Sequence, residues 1–425
     1  MKAGGRGRDR ANAVWSDATG LADRPAVVVG GELNGLGVCR SLGRAGVPVY
    51  VLDRKRLNPA MWSRYATARR SRTLYGRGLL DALQLLHRDL SCRPALIVTD
   101  EMALLTISEF RREIEGLYRF HLPPHETILM LHNKARFHEY AVAHDLPVPN
   151  SAVLRCERDI AAIRKLRFPV VIKPADKRHF HLDNAPRLIV GVDPAAAERA
   201  GRRLLEATGE VIVQERAESP DSEVYFSLFY RRPDGRSTMF TGRKLASNPP
   251  GYGSTVYCAH DGEAARILEP VTCSLLENLD YTGFGGVEYK WDAVSRRFVI
   301  IEPTVGRTDW QEEIATLAGV NIPLAGYRCA YDLPPPPDGP CRKDVVWQSS
   351  HIERMLIGMA AVPPDAAVSD GYWRRDDRWP ALIHYLWGTL RLMPSIPRLG
   401  AARLRRSQAA ERPMRAPRAG SRRRL

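Results

Sequence analysis

The chain reads as an α/β protein at its N-terminal end and as α+β after that, and three stretches predict it. Ala26–Gly30 (AVVVG) is a buried-strand pattern closed by glycine. A glycine-rich turn, a helical stretch to Gly46 and a second strand, Val49–Leu52, follow, and Asp53 closes them. Strand, turn, helix and strand, with an acid about 20 residues past the glycines, is the outline of a Rossmann-like unit. Phe168–Pro174 (FPVVIKP) is an apolar strand that ends on a lysine. Gly283–Arg307 carries two apolar arms about a polar turn at residues 292–297, which is a hairpin pattern.

The 425 residues suffice for two or three domains with a large core. Hydrophobic residues at 44% and charged residues at 26% are those of an ordinary soluble protein. The net charge is +15, but ten arginines and one acid after Pro397 supply +9 of it. A terminal basic run of this kind is a solvated tail rather than a sequence reader, so no specific nucleic-acid partner is expected. Seven scattered cysteines without a CxxC pair fit reduced thiols. The first 20 residues lack an apolar secretory core, and no run approaches a membrane span. A cytoplasmic protein is expected.

Residues 1–24 are expected to be a disordered leader and 25–124 a Rossmann-like domain ending at Pro123-Pro124. The turn GELNGLG (residues 31–37) is not G-x-G-x-x-G. Two readings stay open for it. It contacts a dinucleotide, with Asp53 on the ribose, or its glycines serve tight βα packing. The first would make the chain an NAD(P)-dependent oxidoreductase. Asp100 and Glu101 follow the strand Ala95–Val98, at the carboxyl end where open α/β sheets bind ligands. Asn58–Arg72, rich in arginine and aromatics, either holds an anion or is a surface loop with snorkelling side chains.

Lys134 opens the helical stretch Ala135–His144, where the helix dipole prefers an anion. A bound phosphate accounts for it, and so does solvent. Lys173, at the end of its apolar strand, must snorkel or meet an anion. Val211–Glu215 is a strand ending on Gln214 and Glu215, with Glu223 eight residues on. Each arm of the hairpin carries one carboxylate, Glu288 and Glu302. With the turn centred near Ser295 they face each other, which destabilises a sheet unless a divalent cation reverses the sign. The alternative is a solvated hairpin with two unrelated glutamates.

Taken together, Asn133-Lys134, VVIKP with Lys173, VIVQE with Gln214 and Glu215, Glu223, GGVEY with Glu288 and IEPTVGR with Glu302 resemble the ATP-grasp superfamily over roughly residues 25–330. Within it, the chain is similar to predicted carboxylate–amine ligases. The resemblance implies an ATP-grasp domain over 125–333, with a lid at about 150–215 and a metal-bearing part at about 216–333. It implies ATP phosphates on Lys134 and Lys173, adenine at Gln214–Arg216 and ribose on Glu223. Mg²⁺, with Mn²⁺ as an alternative, would sit on Glu288 and Glu302. Arg307 would meet the γ-phosphate or an acyl phosphate. Arg243 and the loop Pro249–Ser254 would lie on the side of the small-molecule carboxylate and amine. The family's phosphate loop is rich in glycine, whereas Ala175–His181 has none, and Lys177, Arg178 and His179 are offered instead. Thr304 stands where the family often has an Asn. The function the resemblance implies is an ATP-dependent ligase that activates a carboxylate as an acyl phosphate and joins it to an amine, and a catalytically impaired ATP-binding scaffold is the alternative that these departures support.

Pro334–Pro337 reads as a stiff linker. Residues 334–397 are expected as linker and C-terminal appendage, and 398–425 as a basic disordered tail. The apolar, aromatic stretch Trp379–Met393 before that tail has two readings. It makes peripheral contact with an anionic membrane, or it is a helix docked on the body.

Overall fold

The computed structural model describes residues 21–176, 178, 186, 188–217, 219–251, 253–337, 339, 341–359 and 362–392. Four strands open it, β1 (Ala26–Val29), β2 (Val49–Asp53), β3 (Thr67–Arg70) and β4 (Ala95–Val98). They pair in parallel in the order β3-β2-β1-β4. A parallel sheet is covered on both faces, which is why β1 is apolar throughout. Val27 and Val29 share a core with Leu79, Leu80 and Leu83 of the helix Gly76–Leu90. Ala26 and Val28 share one with Leu36 and Leu42 of the helix Leu33–Arg44.

The glycine turn resolves in favour of packing. Gly30 has φ +101°, and a Cβ on Gly35 would lie 2.0 Å from the Gly30 carbonyl oxygen. The Asp53 carboxylate is 1% exposed. It accepts from Gly31 N at 2.6 Å, Lys55 N at 2.8 Å and Asn58 Nδ2 at 2.8 Å. Both of its oxygens thus close the turn itself, and the acid that the dinucleotide reading needs on a ribose is spent locally.

Next comes a small antiparallel sheet of β5 (Ser151–Leu154), β6 (Val170–Pro174), β7 (Ile189–Gly191) and β8 (Val211–Glu215), ordered β5-β8-β6-β7. One face packs on the helix Pro194–Thr208 around Val170, Ile172, Val211, Val213 and Leu204, a core separate from the others. The other face is open to the site described below.

The third sheet has seven strands, with β9 (Val224–Arg231), β10 (Ser237–Asn248), β11 (Ser254–His260), β12 (Gly283–Asp292), β13 (Arg297–Val305), β14 (Val345–Gln348) and β15 (Ala367–Asp370). Its order is β13-β12-β9-β10-β11-β14-β15. The segment after Pro337 is therefore not an appendage. β14 pairs antiparallel with β11, β15 pairs parallel with β14, and Trp347 is fully buried. Four-residue strands are too short to show a period, and β14 finds its partner some 85 residues upstream, so neither was readable locally.

The chain is closed on itself by a buried ionic knot. Arg40, 0% exposed on the helix Leu33–Arg44, donates through Nε to Asp377 Oδ2 at 2.9 Å and through its terminal nitrogens to the Gly371 and Tyr372 carbonyls at 2.7 and 2.6 Å. Asp377 also accepts from Ser63 Oγ and Arg64 N, and Tyr65 Oη donates to Asp376 at 2.6 Å. The polar stretch 58–72 thus holds the C-terminal segment. Leu21 is buried and the Arg24 carbonyl accepts from Tyr327 Oη at 2.6 Å, so the expected leader already belongs to the fold by residue 21. Residues 1–20 and the tail expected over 398–425 lie outside the described residues.

Replacing Arg40 by Met should destabilise the protein by about 3–5 kcal/mol in chemical denaturation, because Asp377 and Glu313 are left buried without it. Arg77→Ala, which removes an exposed pair with Glu113, should change stability by no more than about 1 kcal/mol. Equal effects would show that the knot does not hold the C-terminal segment.

Candidate active site

The hairpin sets the site. Asp292 lies opposite Arg297 and Tyr289 opposite Ile300. On that register alone Glu288 would face Ile301. A bulge between Glu288 and Tyr289 absorbs one extra residue of β13, and Glu288 faces Glu302 instead. The two carboxylates meet as expected, but a bulge brings them together rather than the position of the turn.

Each carboxylate has a cation from another element. Lys244 Nζ on β10 is 2.6 Å from Glu288 Oε2. Lys134 Nζ is 3.7 Å from Glu302 Oε1. Burial by itself would lower the Lys244 pKa. The charge of Glu288 and its hydrogen bond, helped by Asp309, outweigh that and leave it raised, so Lys244 stays an ammonium.

Lys134 is placed by its neighbours. Asn133 caps the helix Lys134–Ala143, its Oδ1 accepting from Ala135 N and Arg136 N at 2.9 Å each. Lys134 N donates to the Ala175 carbonyl at 2.8 Å, and Asn133 bridges to Asp176 just beyond β6. The start of the helix is thereby fastened to the end of the strand that carries Lys173. On that strand Val170 and Ile172 face the core, while Val171 and Lys173 face the cleft, as the alternation of a strand requires. Lys173 Nζ donates to Gln214 Oε1 at 3.3 Å on the neighbouring β8.

Lys134, Lys173, Gln214, Glu215, Glu288, Glu302 and Arg307 therefore line one cleft of about 360 Å³ between the small sheet and the hairpin. Glu215 is oriented by Arg167, whose N–H donates to Oε1 at 2.9 Å. The cleft runs into a second compartment of about 500 Å³ that shares Glu288, Glu302 and Arg307 and adds Lys244, Asp309 and Gln311. Two expected residues are not brought in. Glu223 accepts from Tyr225 Oη at 3.4 Å and does not line the cleft, although Val224 does. Arg243 lies 3.5 Å from Asp261 on the other face of β10, and neither compartment includes it. Its neighbour Lys244 takes that place. Adjacent strand residues face opposite sides, and choosing between them needed a register the sequence does not display. Lys290 and Glu101 also line the cleft. Arg178 pairs with Asp176 at 2.6 Å. Lys177 and His179 lie outside the described residues.

The residues fit a hard divalent cation. Opposed carboxylates at the junction of the two compartments are oxygen donors of the kind Mg²⁺ takes. Among the described residues no group of three or more His, Cys, Asp or Glu is arranged for a metal, so a cation here would draw its other ligands from phosphate and water.

No family model matches the chain. It is similar to D-aspartate ligase of Enterococcus faecium (strain Aus0004), 22% identical over 248 residues, which cover 56% of this chain and 58% of that one. The match thus spans little more than half of the relative's length. Among solved structures it resembles an ADP complex of N5-carboxyaminoimidazole ribonucleotide synthetase (TM-score 0.61, 16% identity, 79% of this chain and 85% of that one). The Thermotoga maritima synthetase gives a TM-score of 0.54 at 15% identity, over 75% and 78% of the two chains. A biotin carboxylase–beta-gamma-ATP complex from Campylobacter jejuni gives 0.59 at 13% identity, over 76% and 74%. At these identities the likeness is one of fold.

One buried acid stands beside the second compartment. Glu312 is 1% exposed, and burial together with the charge of Asp309 pushes its pKa up to about 8. The folded state therefore binds this proton more tightly than the unfolded chain does. Its contribution to stability is full below the unfolded value of about 4.3 and is lost as pH rises through about 8. Glu312→Gln cannot lose a proton. In thermal denaturation its Tm should gain on the parent from about pH 5 to about pH 8 and hold that lead above. A difference independent of pH would contradict the buried neutral acid.

Proposed function

We propose that this chain, which has the ATP-grasp fold, is an ATP-dependent ligase that activates a carboxylate as an acyl phosphate and joins it to an amine. The observation that carries the proposal is convergence. Two lysines and two carboxylates from three separated stretches of sequence line one cleft, and that cleft opens into a second compartment holding cations and an acid. The match to a D-aspartate ligase supports an amino acid as one of the substrates.

In this reading Lys134 and Lys173 hold the phosphates, and Gln214, Glu215 and Arg216 receive the base. Mg²⁺ on Glu288 and Glu302, when bound, supplies the charge neutralisation that phosphoryl transfer needs. Arg307, shared by both compartments, faces the phosphoryl group in transit, and Lys244 draws the substrate carboxylate toward it. A carboxylate oxygen attacks the γ-phosphorus and ADP leaves. The amine nitrogen then attacks the acyl carbon, inorganic phosphate leaves with the C–O bond electrons, and the nitrogen gives up its proton. The protein positions and stabilises charge, and no covalent protein nucleophile is required. Glu223 and Arg243 have no part in this scheme.

A screen of acid and amine pairs for phosphate release from ATP tests the proposal, with release expected only when both partners are present. ATP with Mg²⁺ should raise the Tm by mass action and NAD(P) should not. Stabilisation by ATP without turnover of any pair would favour the scaffold reading. Glu302→Gln should nearly abolish turnover at unchanged Tm, and normal turnover in that variant would remove Glu302 from the site. Lys173→Ala should weaken ATP binding by about 1.5–3 kcal/mol in calorimetric titration. Unchanged affinity with a large loss of stability would make Lys173 a structural partner of Gln214.

A further inference from the structure

The C-terminal helix Trp379–Leu392 has two unlike faces. One is docked. Ala381 is buried, His384 stacks on Tyr372 at 3.6 Å, and Tyr385 Oη donates to Asp370 at 2.9 Å. The other is apolar and open, with Trp379, Leu382 and Leu386 at 58, 44 and 55% exposure. At 3.6 residues per turn these three lie within about 60° of one another, on the far side from Ala381 and His384, with Tyr385 at the edge between the two faces. The neighbouring helix His351–Ile357, whose first N–H donates to Tyr385 Oη at 3.0 Å, adds exposed Met355 and Leu356. Trp373 is exposed too, with the Arg378 guanidinium 6.0 Å from its ring.

Charge around this patch is mostly basic, since Glu353 and Asp376 are half-buried and Asp376 pairs with Arg44 at 3.1 Å. The helix contains no acid, Arg375 and Arg378 are exposed before it, and the sequence after Pro397 carries ten arginines against one glutamate. No described helix is long and apolar enough to cross a membrane.

We propose that this face docks on an anionic phospholipid surface, the apolar stripe Trp379/Leu382/Leu386 entering the headgroup boundary and the flanking arginines meeting lipid phosphates. Tryptophan and arginine at the rim of an apolar stripe suit that boundary, where an aromatic ring and a cation are both satisfied. A second copy of this chain fits less well. A two-fold interface sets each patch against its own image and would bring the exposed Arg375 and Arg378 of one copy toward those of the other. The cleft between the small sheet and the hairpin has none of the patch residues in its lining.

Flotation of the full chain with vesicles tests this. The protein should float with phosphatidylcholine–phosphatidylglycerol vesicles and remain behind with phosphatidylcholine alone. Raising the salt to about 0.5 M should reduce binding, because exposed charges are screened within a Debye length. Leu382→Glu/Leu386→Glu should lower partitioning about tenfold or more. A full-length variant with the ten arginines changed to glutamine should do likewise while touching no described residue. Leu386→Ser serves if the double variant fails to fold, and circular dichroism decides that. Equal flotation with neutral vesicles, no flotation with either, or parental binding by the glutamate and glutamine variants would overturn the proposal. So would a dimer in analytical ultracentrifugation that dissociates on Leu386→Ser and ignores vesicles, which would assign the patch to a second copy.

Discussion

Two negative charges face each other across β12 and β13, and the neighbouring chain is arranged so that they can. Opposed glutamates on one face of a sheet repel. Here a bulge puts them opposite, which a regular register would have avoided. The compensation comes from outside the hairpin. Lys244 reaches Glu288 from β10, and Lys134 reaches Glu302 from the start of a helix 149 residues before the hairpin begins. Lys244 lies in the same large sheet as the hairpin, whereas Lys134, bonded through its N–H to the Ala175 carbonyl, links the hairpin to the end of the small sheet's β6. A site that gathers charge in this way suits a polyanionic ligand carrying its own metal, since both signs of charge are already present at one place.

The same constraint explains the supporting parts. Lys134 is useful only if it is fixed with respect to Lys173, and the bond from Lys134 N to the Ala175 carbonyl fixes it. The small sheet keeps its own apolar core on one face and so frees the other to carry Lys173 and Gln214. Farther away, Arg40 ties the N-terminal helix to the last strands, and β14 completes the sheet on which Lys244 lies. The C-terminal segment thereby supports the edge of the site through the sheet, and Glu353 adds a contact to Asn248 at the rim of the second compartment.

Much of this was legible because chemistry leaves marks on single residues. A lysine in an apolar strand and paired acids in a hairpin are costly, and cost is visible without coordinates. Lys173, Glu288 and Glu302, which line one cleft, stood out for that reason, Lys134 stood out by its place at a helix start, and the parallel sheet was readable behind AVVVG. What escaped depends on long-range register. Arg243 and Lys244 are adjacent, and only the pairing of β10 decides which one faces the site. Glu223 sits at a turn just before β9, where a shift of one residue moves Val224 into the cleft and leaves the glutamate out. Strands β14 and β15 are four residues each and acquire meaning only beside β11. The glycine turn had two readings in the sequence, and the structure favours packing. Its resemblance to a dinucleotide motif was local, and the hydrogen bonds of Asp53 show that the turn uses its acid for itself.

In the proposed site Glu288 and Glu302 hold a divalent cation against nucleotide phosphates that Lys134 and Lys173 also hold. A crystal of the protein with a non-hydrolysable ATP analogue and Mn²⁺ measures this directly, because the metal gives an anomalous difference peak of its own. That peak is expected between Glu288 and Glu302, with triphosphate density reaching both lysines. Nucleotide density at the turn of Gly31 and Asp53, or a metal peak away from both glutamates, would contradict it.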